Sequence, residues 1–258
     1  MKEIIVPSGK RLSWYLAAEE YLAKNITEEC IFFWKVAPTV IFGRHQVMEN
    51  EVNLTYCREH HVDLVRRKSG GGCVYADEGN LMTSYLSPST HSEEVFQHYL
   101  DLMAGALVRL GVPAVKTEHN DILVAERRKG GEAERQIGGE AERQKGGEAE
   151  RRKVSGNACY ALPTGTIVHG TMLYDVDFEA LEQAITPDHD KLAKHGVESV
   201  RQRVMNIKPL LVNSAECKVH SVEELKQRLG ELVCSQHEQL PIAAVAAIEA
   251  IEKTYEIY

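Results

Sequence analysis

The sequence predicts an α+β protein in which helices flank a mixed β-sheet. Segments typical of strands and of helices follow one another without a strict βαβ rhythm, which argues against a doubly wound fold. The 258 residues are 43% hydrophobic and 26% charged, as is usual in globular proteins. A chain of this length and composition buries a core without disulfide bonds.

Helices are predicted where apolar residues recur with a period near 3.6. The clearest is the segment 93–110, with Ser92 as its predicted cap and Gly111 as its end. A boundary at Pro241 separates the last two helices. The predicted helices are 13–24, 51–60, 93–110, 221–237 and 241–255.

Strands are predicted in short segments rich in β-branched and aromatic residues. Ala37-Pro38 separates the first two predicted strands, 30–36 and 39–43. A turn at 77–80 divides the segment 73–87 into two more strands. The remaining predicted strands are 62–67, 121–124 and 166–176.

Charge, cysteine spacing and hydropathy exclude several classes of protein. The formal net charge of −8 argues against general nucleic-acid binding, which favours a basic chain. The six cysteines are scattered without a CxxC pair, a pattern of free thiols rather than of disulfides or a zinc site. There is no run of about 18 apolar residues. A cytoplasmic protein that does not bind membranes is therefore expected.

An eight-residue unit, GGEAER followed by two variable residues, begins at Gly130, Gly138 and Gly146. These copies contain almost no apolar side chains, and each pair of glycines weakens a helix. We therefore expect a solvated loop expansion at about 126–152 within a single domain spanning 1–258. The C-terminal segment, about 221–258, is predicted to be helical.

The stretch RRKSGGGCVYADEGN, residues 66–80, is the first candidate for chemistry. Three successive glycines let a ligand approach the backbone, and their N–H groups can meet an anion. Arg66 and Arg67 stand beside them, and guanidinium forms forked contacts with carboxylate or phosphate. A glycine-rich hairpin with solvated arginines is the alternative.

Three further stretches contain candidate polar residues: EHNDILV, KVSGNA and HGTMLYDVD. Asp121 can hold a metal ion or a lysine, or can be a turn residue. Lys153 can be a fixed positive charge or a solvated lysine. His169 can be a polar group in a pocket, or a core histidine with its hydrogen bonds satisfied.

Together the four stretches resemble the lipoate–protein ligase family. RRKSGGGCVYADEGN resembles its RRxSGGGxVxxDxGN motif, while HND, KVSGNA and HGT resemble three further motifs in the family's order. The similarity covers roughly residues 12–215. It implies a biotin/lipoate ligase-like catalytic domain, in the form without a C-terminal accessory domain.

The resemblance implies an ATP-dependent reaction, in which lipoate or octanoate becomes an acyl-adenylate and is then transferred to a lysine. Implied partners are lipoyl carrier domains of 2-oxoacid dehydrogenases or the glycine cleavage H protein, with a separate accessory polypeptide as a further candidate. Lys153 would bridge the carboxyl oxygen and the α-phosphate, and Arg67 would contact carboxylate or phosphate oxygen. Asp121 would orient Lys153 or help to place Mg²⁺.

The resemblance also assigns binding roles. It places Lys153 on a loop that moves when the adenylate forms. The residues implied to hold the nucleotide are Gly70, Gly71, Gly72, Val74, Tyr75, Asn80 and Thr171. Those implied to line the acyl tunnel are Trp34, Val40 and His169.

Three departures from the family and two alternatives remain. The octad expansion immediately before Lys153 is one departure. Ala76 stands where many relatives have histidine, and the sequence ends at Tyr258, where larger relatives continue. One alternative is an octanoyl or lipoyl transferase that uses a cysteine thioester without ATP, for which Cys73 and Cys159 are the candidates. The other is a lipoate- or adenylate-binding protein without catalytic activity.

Overall fold

The structure is a computed structural model that describes residues 1–118, 120–125, 151–185, 204–214 and 217–258. Its strands are β1 (Lys2–Ile5), β2 (Cys30–Trp34), β3 (Thr39–Phe42), β4 (Asp63–Arg66), β5 (Val74–Ala76), β6 (Asn80–Ser87), β7 (Ala114–Lys116), β8 (Asp121–Ala125), β9 (Arg151–Leu162), β10 (Gly165–Leu173) and β11 (Gln236–Gln239). Its helices are α1 (Leu12–Asn25), α2 (Leu54–Glu59), α3 (Ser92–Arg109), α4 (Phe178–Ala184), α5 (Lys208–Val212), α6 (Val222–Val233) and α7 (Ile242–Glu252), with a 3₁₀ turn at Met48–Asn50.

Eight of these strands form one mixed sheet, in the order β11-β1-β2-β6-β10-β9-β8-β7. Strand β1 runs parallel to both β11 and β2, and the remaining neighbours are antiparallel. The predicted α+β class with a mixed sheet is confirmed.

Helices cover both faces of the large sheet because side chains alternate along its strands. On β2, Ile31 and Phe33 join the hydrophobic cluster that α3 and α6 cover. Phe32 and Trp34 join the cluster on the opposite face, which α1 and α7 cover. The candidate site lies at the edge of this second cluster.

Strands β4, β3 and β5 form a separate small sheet, in which β3 lies in the middle. Strand β4 runs parallel to β3 and β5 runs antiparallel to it. The glycine-rich segment 67–73 therefore crosses from one side of β3 to the other. The alternative of a glycine-rich hairpin is wrong, because β4 and β5 are not neighbours.

The predicted helices and strands are found with shifted ends. Helix α3 begins at Ser92, with His91 as its N-cap and no capping bond from that side chain, so the predicted Ser92 cap is wrong. The predicted helix 221–237 ends at Val233 and is followed by β11. The sequence of β11, QHEQ, is exposed and polar, so it lacks the apolar alternation from which strands are predicted.

Residues 126–150 of the octad segment lie outside the described residues, as do 186–203. The predicted loop expansion and the predicted single domain therefore stay predictions. In the described part of the chain, no helix is long and apolar enough to span a bilayer.

Candidate active site

A cavity of about 150 Å³ opens between α1, the glycine-rich segment and strands β9 and β10. One part of its wall is apolar and another carries charged and amide side chains. Its lining is Leu12, Leu16, Trp34, Ile41, Arg67, Gly71, Gly72, Cys73, Val74, Met82, Asn120, Lys153, Gly156, Asn157, Ala158, His169, Gly170 and Thr171.

Arg67 holds the glycine-rich segment from within. Its side chain is only 6% exposed, and Nη2 donates to the carbonyls of Gly70 and Gly72, both at 2.7 Å. Nη1 donates to the carbonyl of Ile41 at 3.1 Å. Burial lowers the pKa of Arg67 to about 10, so the guanidinium is charged at neutral pH. Arg67 therefore shapes the segment and brings a positive charge to the cavity wall.

Gly71 is the residue of this segment that requires glycine. Its φ of +92° is a conformation that side chains disfavour, and a Cβ there would lie 2.9 Å from Nη2 of Arg67. The backbone at Gly71 also packs against Gly43, where an added Cβ would collide with the Gly71 carbonyl oxygen. Two glycines thus allow two backbone segments to meet beside the cavity.

Lys153 lies on strand β9, not on a loop, and its Nζ is 2.8 Å from Oδ1 of Asp121 on β8. The pairing of β8 with β9 shifts between Ile122 and Leu123, which places a bulge at Val154. The lysine side chain extends over Gly156, where a Cβ would lie 2.7 Å from Cε and 2.8 Å from Nζ. The structure therefore brings Lys153 and Asp121 together, as predicted, but corrects the expected loop.

An asparagine pair that was not predicted fixes the start of β8. Asn157 donates to the carbonyl of Asn120 through its backbone N–H at 3.0 Å and through Nδ2 at 2.9 Å. Asn120 Nδ2 donates back to the Asn157 carbonyl at 3.3 Å. Because Asp121 follows directly, the pair sets where its carboxylate lies. Both asparagines stand in the quoted motifs, which is the signal that could have identified them.

A buried chain of hydrogen bonds supports the polar wall. His169 Nε2 lies 2.8 Å from Ser69 Oγ, and Nδ1 lies 3.2 Å from Oε2 of Glu19. Ser84 Oγ donates to Glu19 Oε1 at 2.6 Å and accepts from Trp34 Nε1 at 2.8 Å. Glu19, only 3% exposed, was not predicted as a site residue. Its sequence signal is a carboxylate in the apolar stripe of α1.

The cavity brings together most of the predicted residues. Arg67, Lys153, Gly71, Gly72, Val74, Thr171, Trp34 and His169 line it, and Asp121 reaches it through Lys153. The Thr171 hydroxyl accepts from the backbone N–H of Gly156 at 3.4 Å and donates to the Gly156 carbonyl at 3.3 Å.

Four predicted residues do not line the cavity. Val40 and Tyr75 are buried in the hydrophobic cluster on the far face of the small sheet, because their neighbours Ile41 and Val74 face the cavity. Asn80 accepts a 3.0 Å bond from the Asp77 N–H, and Gly70 contributes the carbonyl that Arg67 binds. The structure thus turns the side chains of Val40 and Tyr75 away from the cavity, so Val40 does not line it as predicted.

The two candidate cysteines are both neutral thiols at physiological pH. Burial raises the pKa of Cys73, which lines the cavity, to about 12. Burial likewise raises the pKa of Cys159 to about 11. A nucleophilic cysteine requires the opposite shift.

Within the described residues, no cluster of three or more histidine, cysteine or acidic side chains is placed to hold a metal ion. Asp121 offers one carboxylate beside Lys153. Mg²⁺ commonly binds through one or two carboxylates together with phosphates of the substrate. Asp121 is therefore compatible with Mg²⁺ that arrives with a nucleotide.

The family model of the lipoyl protein ligase A/B catalytic domain matches residues 12–232. The chain belongs to this family. It is 35% identical over 219 residues to lipoate–protein ligase 1 of Staphylococcus aureus, covering 84% of this chain. It spans 59% of the length of that relative. The family resemblance drawn from the motifs is confirmed.

Solved ligase structures share the fold. A bipartite lipoate protein ligase from Thermoplasma acidophilum, studied with its E2 lipoyl domain, superposes with a TM-score of 0.74 at 20% identity, covering 98% of this chain and 91% of that one. A lipoate–protein ligase A structure with bound ATP gives 0.71 at 20% identity, covering 98% and 94%. The predicted biotin/lipoate ligase-like fold is confirmed for this family member.

Proposed function

We propose that this protein is an ATP-dependent lipoate–protein ligase. It activates lipoate or octanoate as an acyl-adenylate and transfers the acyl group to a lysine of a lipoyl carrier domain. The observation that carries the proposal is the position of Lys153, held by Asp121 at the wall of a cavity that Arg67 also lines. Membership of the lipoyl protein ligase family supports it.

Adenylation brings a carboxylate and an α-phosphate together, and the two anions repel each other. Lys153 reduces this repulsion by placing its ammonium between them, and Arg67 adds a second positive charge. Fixed charges of this kind stabilise the transition state more than they would in water. The attacking carboxylate oxygen forms a bond to the α-phosphorus, and pyrophosphate leaves.

The apolar part of the cavity receives the acyl chain. Leu12 and Leu16 of α1, Ile41 of β3 and Met82 of β6 supply apolar walls. Trp34 and His169 stand there too, and their ring nitrogens are held by Ser84 and Glu19. Few polar groups with fixed positions and many apolar contacts are usual in small-molecule sites.

The nucleotide lies along the glycine-rich segment, with Gly71, Gly72 and Val74 beside it and Thr171 across the cavity. Gly70 supports this wall through the carbonyl that Arg67 binds, and the buried side chains of Tyr75 and Asn80 support it from behind. Mg²⁺ would neutralise phosphate charge, and Asp121 would be the residue that helps to hold it. Asp121 also holds the ammonium of Lys153.

The carrier lysine attacks the acyl carbonyl of the adenylate in the second step, forming an amide and releasing AMP. One neighbour in the fold comparison was studied with an E2 lipoyl domain, which supports a carrier of this class. A solved structure that shares the fold is a bi-partite lipoate protein ligase, and a separate accessory polypeptide is part of the proposal.

The high pKa values of Cys73 and Cys159 argue against the cysteine-dependent transferase. Incubation with ATP, Mg²⁺, lipoate and a lipoyl domain tests all the alternatives when read by intact mass and pyrophosphate release. The ligase produces pyrophosphate and a lipoylated domain. Acyl transfer without ATP would indicate the transferase, and no product would indicate the non-catalytic alternative.

A further inference from the structure

The C-terminal residues 256–258 add a strand to the open edge of the small sheet. The N–H of Tyr258 donates to the carbonyl of Leu64 at 3.1 Å, and the N–H of Arg66 donates to the carbonyl of Glu256 at 3.2 Å. An antiparallel bridge joins Ile257 to Val65 between them. The C-terminal strand thus lies directly beside the first arginine of the glycine-rich motif.

Arg66 connects this strand to a second segment. Its Nε donates to Oε2 of Glu256 at 2.8 Å, and its Nη1 donates to the carbonyl of Gln46 at 2.9 Å. The guanidinium also lies 4.5 Å from the ring centre of Phe42, and the ring of Tyr258 is 5.6 Å from that same ring. Arg66 is therefore held on one side by the C-terminal strand and binds the turn at 43–46 on the other.

The turn at 43–46 contacts the glycine-rich segment. The N–H of Arg44 donates to the carbonyl of Ser69 at 3.0 Å. Gly43 packs so closely against Gly71 that a Cβ would collide with its carbonyl oxygen. A displacement of the turn therefore moves the backbone that lines the cavity.

We infer that Arg66 is a positioning residue for the glycine-rich segment and that Glu256 holds Arg66 in place. The inference rests on the proposed function, because the glycine-rich segment is the part of the cavity wall along which we propose that the nucleotide binds. It gives the two neighbouring arginines different tasks. Arg67 holds residues 70–72 from within the cavity, and Arg66 holds the adjoining turn from outside.

The ion pair itself contributes little to stability, because Arg66 is 25% and Glu256 61% exposed. Its effect is geometric. Nη1 of Arg66 binds the turn, and Nε of the same side chain binds the Glu256 carboxylate. Glutamine at 256 keeps an acceptor oxygen for Nε and alanine does not. This difference separates positioning from a general effect on folding.

Amide hydrogen exchange tests the inference without any assay of activity. In Glu256→Ala we expect the amides of Gly43, Arg44 and Gln46 to exchange about 10-fold faster, because the turn opens locally more often. Glu256→Gln should restore most of the protection. Glu28→Ala is the matched control. Glu28 forms a 2.8 Å pair with Lys2 of β1, and the exposures of these two side chains, 62% and 22%, match those of Glu256 and Arg66.

Kinetics provide the second readout. In Glu256→Ala and Arg66→Lys the KM for ATP should rise about 10-fold, with kcat and the KM for lipoate within about threefold of the parent. A purely structural defect would instead reduce the active fraction and therefore kcat. Glu28→Ala should change none of these constants.

Exchange of the turn amides within about threefold of the parent in Glu256→Ala would overturn the inference. So would an equal loss in Glu256→Gln and Glu256→Ala. If the parent releases no pyrophosphate, the proposed function fails, and the exchange measurement still decides the role of Arg66.

Discussion

Lys153 and Asp121 face each other across strands β9 and β8, with Nζ 2.8 Å from Oδ1, beside a bulge in the pairing. Their side chains are 32% and 27% exposed, so the pair adds little to stability. Its consequence is geometric, because the carboxylate directs the ammonium along the cavity wall. Gly156 leaves the space through which the lysine side chain runs.

Lys153→Ala should lower the rate of adenylation by about 10²–10³-fold and leave the fold intact. The ammonium is the group that separates the two reacting anions, whereas the strand pairing does not depend on it. Pyrophosphate release and the thermal midpoint are the measurements. Lys116→Ala is the control, because Lys116 makes a 2.7 Å pair with Asp101 at 33% exposure away from the cavity.

Near-parental pyrophosphate release by Lys153→Ala would contradict the assignment. Lys129 or Lys145, which lie outside the described residues, would then be tested in turn as the lysine that enters the site.

Gly156→Ala should reduce the adenylation rate by about 10- to 100-fold, because small displacements of a reacting group have effects of this size. The added Cβ would lie 2.7 Å from Cε of Lys153, and the flexible side chain yields more readily than the strand. Stopped-flow or steady-state pyrophosphate release measures the effect.

Gly105→Ala is the matched glycine control. An added Cβ at this position in α3 meets nothing within 4 Å, so activity should be unchanged and stability should rise by up to about 1 kcal/mol. If Gly156→Ala is as active as Gly105→Ala, Lys153 does not act from the position seen here.

Cys73→Ser and Cys159→Ser should each retain most ATP-dependent ligation, because the adenylate route needs no thiolate. Burial raises the pKa of these thiols to about 12 and about 11, so each stays protonated until the pH approaches its pKa. Alkylation at pH 8 should then be roughly 10²- to 10³-fold slower than for free cysteine, rising about tenfold per pH unit.

Peptide mass spectrometry after iodoacetamide treatment measures the alkylation of each cysteine. An acyl adduct trapped on either cysteine would instead support the transferase.

Deleting residues 130–153 should leave a folded, active protein. The deletion joins Arg127-Arg128-Lys129 to Val154, so a lysine still precedes Val154 on β9. Because Ala125 pairs with Arg151, only Glu126 would separate the equivalent positions, and the outermost pairs of the β8–β9 ladder should open into a turn. Stability should therefore fall by about 1–2 kcal/mol. The predicted loop expansion implies that the apparent affinity for ATP or lipoate should stay level or improve, since a shorter loop loses less freedom on ordering.

Thermal midpoint and adenylation rate compare the deletion with the parent. An insoluble or inactive product would indicate that the octads form a structural or partner-binding element.

Motif residues were the most predictable part of the site. Arg67, Lys153, Thr171 and His169 meet at one cavity, as the motifs implied. Three of these residues lie on β9 and β10, which are paired neighbours in the large sheet. Glu19 could not be predicted in this way, since in the sequence it is one carboxylate in a helical stripe. Only the packing of α1 against β10 places it 3.2 Å from His169.

The sequence also could not predict which side of a strand faces the cavity. Val40 and Ile41 are both β-branched and equally suited to a wall, and Val74 and Tyr75 present the same choice. A one-residue difference reverses the face of a strand, and the packing of Val40 and Tyr75 into the cluster on the far face of the small sheet fixes that choice. The structure therefore assigns Ile41 and Val74 to the cavity.

The sequence by itself determined the α+β class, the family and most of the polar groups of the site, because these depend on local periodicity and on motifs that are contiguous in the chain. Only the tertiary structure decided the strand order, the bulge that directs Lys153 and the contact of the C-terminal strand with Arg66. These depend on pairing between residues as far apart as Arg66 and Glu256. Hydrogen-bonding backbone groups are alike at every position, so local sequence does not specify which strands pair.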